Sequence, residues 1–216
     1  MPDVPQPDGL YATVVKRWFD AVMAATLVVL LLPVMACTWV AVRLALGRPV
    51  LYVDERSGRD GRPIRVVKFR SMAEQPGPES RPRTDAERLS AFGRFLRRTS
   101  LDELPQLFNV LAGDMSLVGP RPLPVRYRAR YSPRQAARLL VRPGLTGWAQ
   151  IHGRNAVDWP ERLEYDVQYV EYLGRWWAPF LDLWIVMATA VQVGATGLTG
   201  RGIAAQGTAT MKEFQP

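Results

Sequence analysis

The apolar positions of the chain fall into one long unbroken run and several shorter periodic stretches. Residues 21–42 form a run of 22 without a charge, which as a helix would reach about 33 Å, enough to cross the hydrocarbon core of a bilayer. Too much chain precedes the run for a signal peptide, and no small-residue cleavage site follows it. Pro33, near its middle, removes a backbone hydrogen bond and bends the helix. Lys16 and Arg17 flank one end, Arg43 and Arg48 the other. Positive charge on both flanks places both ends on the cytoplasmic face and predicts a re-entrant helix that dips in and returns. Asp20 sits at the water edge, with Lys16 or Arg17 as its expected partner.

The period then changes to two. Val50, Tyr52 and Val53 on one arm and Ile64, Val66 and Phe69 on the other flank a Gly58-Arg59-Asp60-Gly61 turn, which predicts a short β-hairpin over 47–72. Lys68 and Arg70 alternate with apolar neighbours and share a face of the second strand, placed to hold phosphate oxygens or simply to be solvated. After a proline-rich loop, Leu89, Phe92, Phe95 and Leu96 recur at helical spacing over 85–96, and this helix delivers Arg97 and Arg98. Residues 124–140 read as an arginine-rich helix broken near Ser132-Pro133, its arginines facing lipid headgroups or solvent. Residues 142–155 read as a glycine-rich loop with Trp148 and Arg154 as contact residues.

The last third gathers Tyr165, Tyr169, Tyr172, Trp176, Trp177, Phe180 and Trp184. Residues 180–193 are apolar but too short to span, which suits a helix lying in the membrane interface, with ordinary core packing as the alternative. The pattern as a whole predicts an α+β, mainly helical fold. It comprises a compact domain with a short β-hairpin, a kinked re-entrant N-terminal membrane helix and in-plane amphipathic helices. The boundaries expected are 1–10 for a flexible tail, 11–46 for the re-entrant region, 47–195 for the core that carries any chemistry and 196–216 for a weakly ordered C-terminal tail.

Composition adds a partner class. A net charge of +8 with a pI near 10.1 implies an anion: nucleic acid, a phosphorylated substrate or an acidic membrane surface. No nucleic-acid-binding motif is present, so nucleic acid is not expected. Cys37 has no second cysteine to pair with, fits a reducing compartment and reads as inert packing within the apolar run.

Chemistry concentrates between Arg97 and Pro122. Two adjacent carboxylates, Asp102 and Glu103, stand between Arg97-Arg98 before them and a proline-clasped Arg121 after them. Ser100 with Glu103 fits a capping box at a helix start, or, given Pro105, Asp102 is itself the cap. In both cases Asp102 lies in a first turn, where helix dipole and arginines favour its ionised form. Such acids often only stabilise a helix. Here, however, the rigid Pro120-Arg121-Pro122 turn aims a guanidinium beside them, which suits a phosphate or diphosphate.

The block SLDELPQLFNVLAGDMSLVGPRP resembles the signature of the bacterial sugar transferases, the monotopic polyprenyl-phosphate phosphoglycosyl transferases. The similarity runs from Lys16-Arg17-Trp18-Phe19-Asp20 through Val67-Lys68-Phe69-Arg70-Ser71-Met72 to Arg142-Pro143-Gly144-Leu145-Thr146-Gly147-Trp148-Ala149-Gln150 and Gly153-Arg154-Asn155. The resemblance implies transfer of a sugar 1-phosphate from a UDP-sugar to a membrane polyprenyl phosphate, undecaprenyl phosphate, with release of UMP. It implies Asp102 as nucleophile, Glu103 as its assistant through metal binding or orientation of the acceptor, and Mg²⁺ with either Asp102 or Glu103 as its ligand. Lys68, Arg70, Arg97, Pro120, Arg121 and Arg154 are the implied substrate-binding residues, and Lys16, Arg17, Asp20 and Pro33 belong to the membrane element. It also implies a monotopic protein on the cytoplasmic face of the bacterial inner membrane. Oligomeric state stays open, a homodimer included.

Two departures from that pattern stand out. Leu32 occupies the position before Pro33 where the family commonly has serine, so no hydroxyl is at hand for the carbonyls freed by the bend. His152 stands where asparagine is usual, and no catalytic role is expected of it. The multi-span N-terminal region of larger members is absent, which leans toward N-acetylated or diacetamido sugars. Two other classes compete: a non-catalytic basic membrane binder, which has no need of an acid pair inside its basic collar, and a membrane-bound nucleotide-sugar hydrolase, which would use the same residues with water as acceptor.

Overall fold

The computed structural model describes residues 7–75, 81, 83–153, 157–199 and 214. The long apolar run forms α1 (Lys16–Leu46), entered through a π-helical turn and continuous through Pro33. One stripe of it is buried: Lys16, Asp20, Ala24, Met35, Thr38 and Val42. The opposite side leaves Val22, Val29, Leu32, Val40 and Leu44 exposed. Cys37 is exposed there too, rather than packed inside.

The hairpin forms as the alternation predicts, β1 (Leu51–Ser57) pairing antiparallel with β2 (Pro63–Phe69). The single helix expected over 85–96 is two, α2 (Asp85–Arg88) and α3 (Ala91–Arg98). Each has its own cap: Thr84 forms a capping box with Glu87, and Ser90 Oγ accepts from the Gly93 N–H. The second cap breaks the chain direction at Leu89. Gly93 lets α3 lie directly on the strand end, because a Cβ there would stand 1.9 Å from the Ser71 carbonyl oxygen.

Beyond a 3₁₀ turn at Leu101–Glu103 come α4 (Gln106–Ala112) and β3 (Ser116–Val118). The arginine-rich stretch is mostly 3₁₀ (Val125–Arg130, Ala137–Leu140), with only α5 (Pro133–Ala136) helical after the Ser132 cap. The stretch read as loop contains β4 (Gly144–Thr146) and α6 (Trp148–Ile151). β3 and β4 pair in parallel, Ser116 with Gly144 and Val118 with Thr146. Strands of three residues show no readable period, so neither was predicted. Two longer helices follow, α7 (Trp159–Leu173) and α8 (Ala178–Thr199).

α8 extends past the expected interfacial segment and takes in residues 196–199, assigned above to the tail. Residues 178–195 are long and apolar enough to cross a membrane by length and composition. Phe214 is also no loose end: it is 2 % exposed and packs with Leu123, Tyr127 and Leu163.

The central core joins Ala24 of α1 to Val66, Leu107, Val110, Met115, Val118, Tyr169 and Ile185. A second cluster joins Met35 and Val42 to Val50, Phe69 and Leu96. Both halves of α1 therefore rest on the same body. The polar residues at its start are built into that contact. Lys16 Nζ lies 2.6 Å from Asp182 Oδ2 and 3.7 Å from Asp20 Oδ1. Asp182 accepts further bonds from the hydroxyls of Tyr11 at 2.6 Å and Tyr169 at 2.8 Å. Asp20, expected at the water edge, is 2 % exposed and accepts from Ser116 Oγ at 2.6 Å and the Leu117 N–H at 3.2 Å. Arg17 donates to the carbonyls of Val110 and Leu111 at 2.7 and 2.8 Å, capping the C-terminus of α4. This basic flank thus locks α1 to the domain, a role that charge counting could not separate from membrane orientation.

Candidate active site

The acid pair sits where α3 turns into α4. Ser100 takes a left-handed conformation, φ 56°, and its side chain caps nothing. Pro105 begins α4 without a side-chain cap, so neither capping arrangement expected from the sequence forms. The short 3₁₀ turn instead presents Asp102 and Glu103 to one cleft, of about 1770 Å³, whose walls include Lys68, Arg97, Arg121, Tyr127, Trp159 and Arg162.

The two carboxylates are treated differently. Glu103 Oε1 accepts from Lys68 Nζ at 3.1 Å and from Arg121 Nη2 at 2.6 Å. Against a burial penalty that would raise it, Arg121 and Lys68 hold Glu103 well below the usual carboxylate range. Asp102 is 7 % exposed, yet among the described residues no side chain hydrogen-bonds its carboxylate. Burial, with the neighbouring Glu103 charge, pushes it up to about 7, although Lys68, Arg97 and Arg121 pull the other way. The fully ionised Asp102 expected from a helix first turn is thus corrected: the turn is too short for a helix dipole, and desolvation outweighs the arginines.

Of the residues singled out in the sequence, Lys68, Arg97, Asp102, Glu103 and Arg121 meet in this cleft. Arg97 Nε donates to Ser71 Oγ at 3.0 Å, tying α3 to the end of β2. Arg70 lines the cleft but is turned away from the role expected of it. It lies past the end of β2, where its guanidinium donates to the carbonyls of Leu46 and Arg48 and pairs with Glu74. Pro120 is buried, and its carbonyl accepts from the Gly144 N–H at 2.9 Å. Arg154 falls outside the described residues. Lys16, Arg17, Asp20 and Pro33 belong to α1 and its anchorage, as above.

Trp148, expected as a contact residue, is held among other aromatic rings. It stacks in a ring cluster with His152, Tyr172 and Trp184, and His152 lies in turn against Tyr165. The arginines of 124–140 also have protein partners. Arg134 pairs with Glu164 and Glu171, Arg128 donates to the Gly61 carbonyl, and Arg130 to that of Phe214.

Arg138 was missed as a site-building residue. It is 3 % exposed, pairs with Asp166 at 2.8 Å, and donates to the Arg121 carbonyl at 2.6 Å. This buried pair fixes the backbone from which Arg121 reaches Glu103. Arg162, one turn before Asp166, was missed as well; it is 5 % exposed, and burial followed by the nearby Arg121 pushes it down to about 10. Its guanidinium lies 5.4 Å from the Trp159 ring centroid. A readable signal existed, since Arg162 and Asp166 share the helix face of Leu163, Val167 and Val170.

A buried, uncommitted carboxylate beside a clamped one, in a cleft lined by cations, suits attack on a phosphoryl group. Among the described residues no three His, Cys, Asp or Glu side chains stand together. The donor set nevertheless fits Mg²⁺, which is held by one or two carboxylates with substrate phosphates. Both cations on Glu103 occupy Oε1, so Oε2 and the Asp102 carboxylate remain for it.

The chain has relatives among known proteins. The family described as bacterial sugar transferase matches residues 11–196. The chain is 42 % identical over 201 residues to EpsL of Bacillus subtilis, an uncharacterized sugar transferase, covering 93 % of this chain and 96 % of that one. It is 43 % identical over 181 residues to the UDP-glucose:undecaprenyl-phosphate glucose-1-phosphate transferase of Escherichia coli, covering 81 % of this chain but 39 % of that protein. It is 38 % identical over 205 residues to an Aeromonas hydrophila UDP-N-acetylgalactosamine-undecaprenyl-phosphate N-acetylgalactosaminephosphotransferase, covering 91 % of this chain and 46 % of the relative. The chain therefore spans less than half the length of the latter two.

Proposed function

We propose a reaction for this chain, which belongs to the bacterial sugar transferase family and is a phosphoglycosyl transferase. It moves a sugar 1-phosphate from a UDP-sugar to a polyprenyl phosphate. The observation that carries the reading is the uncommitted Asp102 carboxylate beside a Glu103 already clamped by Lys68 and Arg121. In the first step an Asp102 carboxylate oxygen attacks the β-phosphorus of the donor. The bond from that phosphorus to the bridging oxygen breaks, and UMP leaves with the electron pair. In the second step a phosphate oxygen of the lipid attacks the same phosphorus, Asp102 is released, and a polyprenyl-diphosphate-sugar forms.

Every reactant is an anion, so the residues around Asp102 have one common task. Lys68, Arg97 and Arg121 offset charge on the diphosphate, and Glu103 keeps Lys68 and Arg121 in place while they do so. Mg²⁺, held by Asp102, Glu103 Oε2 and substrate phosphates, would supply further neutralisation of the developing charge.

The membrane arrangement proposed is monotopic, on the cytoplasmic face. Its support is α1 itself: a helix of about 46 Å that exposes an apolar face while both of its ends pack on one domain. A helix crossing to the far side would carry one end away from that domain. This places the cleft at headgroup height, where a polyprenyl phosphate presents its charged end.

The test is UMP release from a panel of UDP-sugars in detergent, with and without polyprenyl phosphate. Continuous turnover that requires the lipid, with label from the β-phosphate recovered in the lipid, is expected. Continuous UMP release without lipid would make the protein a hydrolase and refute the reading.

A further inference from the structure

Among the described residues that line the cleft, Gln150 is a neutral side chain whose donor and acceptor ends are both buried and unpaired. Gln150, on α6, is 7 % exposed, and among the described residues neither its Oε1 nor its Nε2 has a hydrogen-bond partner. Its side chain lines the same cleft as Asp102 and Arg121. A buried amide left unpaired loses its hydrogen bonds to water without replacement, so an unpaired one lining a cleft calls for a ligand.

The fold explains its position. β3 and β4 run parallel, so the residues that follow them emerge at the same end of the pair. After β3 comes Gly119-Pro120-Arg121; after β4 comes Gly147 and then α6 with Gln150. The two loops touch: the Gly119 N–H donates to the Thr146 carbonyl at 2.9 Å, and a Cβ on Gly147 would stand 2.2 Å from the Gly119 carbonyl oxygen. Gln150 and Arg121 therefore line one cleft from adjoining segments. The neighbouring hydroxyls of Thr146 and Thr189 are bonded to each other at 2.6 Å, and Gln192 holds the Ile151 carbonyl at 3.0 Å, which fixes α6 against α8.

The chemistry of the group selects the ligand. An amide offers donors and acceptors together and carries no charge, whereas the phosphates of both substrates are matched by cations elsewhere in the cleft. We propose that Gln150 hydrogen-bonds the sugar of the UDP-sugar, through its hydroxyl or N-acyl groups, and so helps to set which sugar is transferred. This rests on the reaction proposed above.

The test compares wild type with Gln150→Leu and Gln150→Glu for UMP release from UDP-glucose, UDP-galactose and their N-acetylated counterparts at saturating polyprenyl phosphate. UDP is included as an inhibitor. The expected result is a loss of about 10- to 100-fold in kcat/KM for the preferred donor, a changed ranking among donors, and unchanged UDP inhibition and acceptor KM. Gln150→Leu should melt no lower than wild type, because it removes an unpaired buried group. An unchanged ranking, with all donors and UDP weakened together, would overturn the assignment, as would a rise confined to the acceptor KM or a lower melting temperature in both variants. A wild type inactive with every donor would instead refute the reaction, and this inference with it.

Discussion

Asp102→Asn should abolish turnover and at the same time stabilise the fold. Raising the carboxyl from an ordinary 3.8 to about 7 means that its charged form costs about 4 kcal/mol in the folded state above neutrality. The folded pKa exceeds the unfolded one, so this stability is complete below the unfolded value and lost as pH rises through about 7. Asparagine never ionises. For a chain of this size about 1 kcal/mol moves Tm by roughly 2–4 °C, which predicts an increase of about 10 °C at about pH 8. At about pH 5 the wild-type group is mostly protonated when folded, and the gap should shrink to less than about half. The assay is thermal unfolding of both proteins in one detergent across that pH range. A gap that does not change with pH, or an asparagine variant less stable at the alkaline end, would refute the argument that burial strains this carboxylate.

Other consequences follow from the same geometry. Donor cleavage by wild type should rise with pH through about 7, because the nucleophile must be ionised; a flat profile by rapid quench would contradict Asp102 as the titrating group. Glu103→Gln should lower kcat about 10²- to 10³-fold by loosening Lys68 and Arg121, read from steady-state UMP release. Arg138→Ala should cost about 3–5 kcal/mol because it strands Asp166. The Arg138→Met, Asp166→Leu pair should recover most of that stability in chemical unfolding, yet not the activity that depends on the Arg121 backbone. Asp182→Asn should loosen α1 from α8 by freeing Lys16, visible as faster amide exchange at residues 16–24 in detergent.

Much of the site was legible because its chemistry is dense in sequence. Asp102 and Glu103 adjoin, Arg97 and Arg121 bracket them, and Lys68 sits on a strand whose alternation was plain. The hairpin and α1 were legible for the same reason, since a period of two and a long uncharged run each point to one structure. What stayed hidden depends on distant partners. The pairing of Lys16 with Asp20 was legible from their i,i+4 spacing, but their burial was not, because Asp182, Tyr169 and Ser116, which bury them, lie far along the chain. Arg70 looked like a phosphate ligand because nothing local shows that the end of α1 needs its guanidinium. The ionisation of Asp102 was misjudged because a helix first turn and a buried 3₁₀ turn have the same sequence signature but opposite effects on a carboxylate.

Asp102 is proposed to carry the phosphosugar between donor and lipid. Intact-protein mass spectrometry tests this directly, using the full chain in detergent with Mg²⁺ and a UDP-sugar panel but no polyprenyl phosphate, beside Asp102→Asn. A phosphosugar mass increment is expected on wild type alone, with one equivalent of UMP released, discharged when lipid phosphate is added. Lipid product formed at a normal rate by a protein that never shows the increment, or an increment that persists in Asp102→Asn, would contradict it.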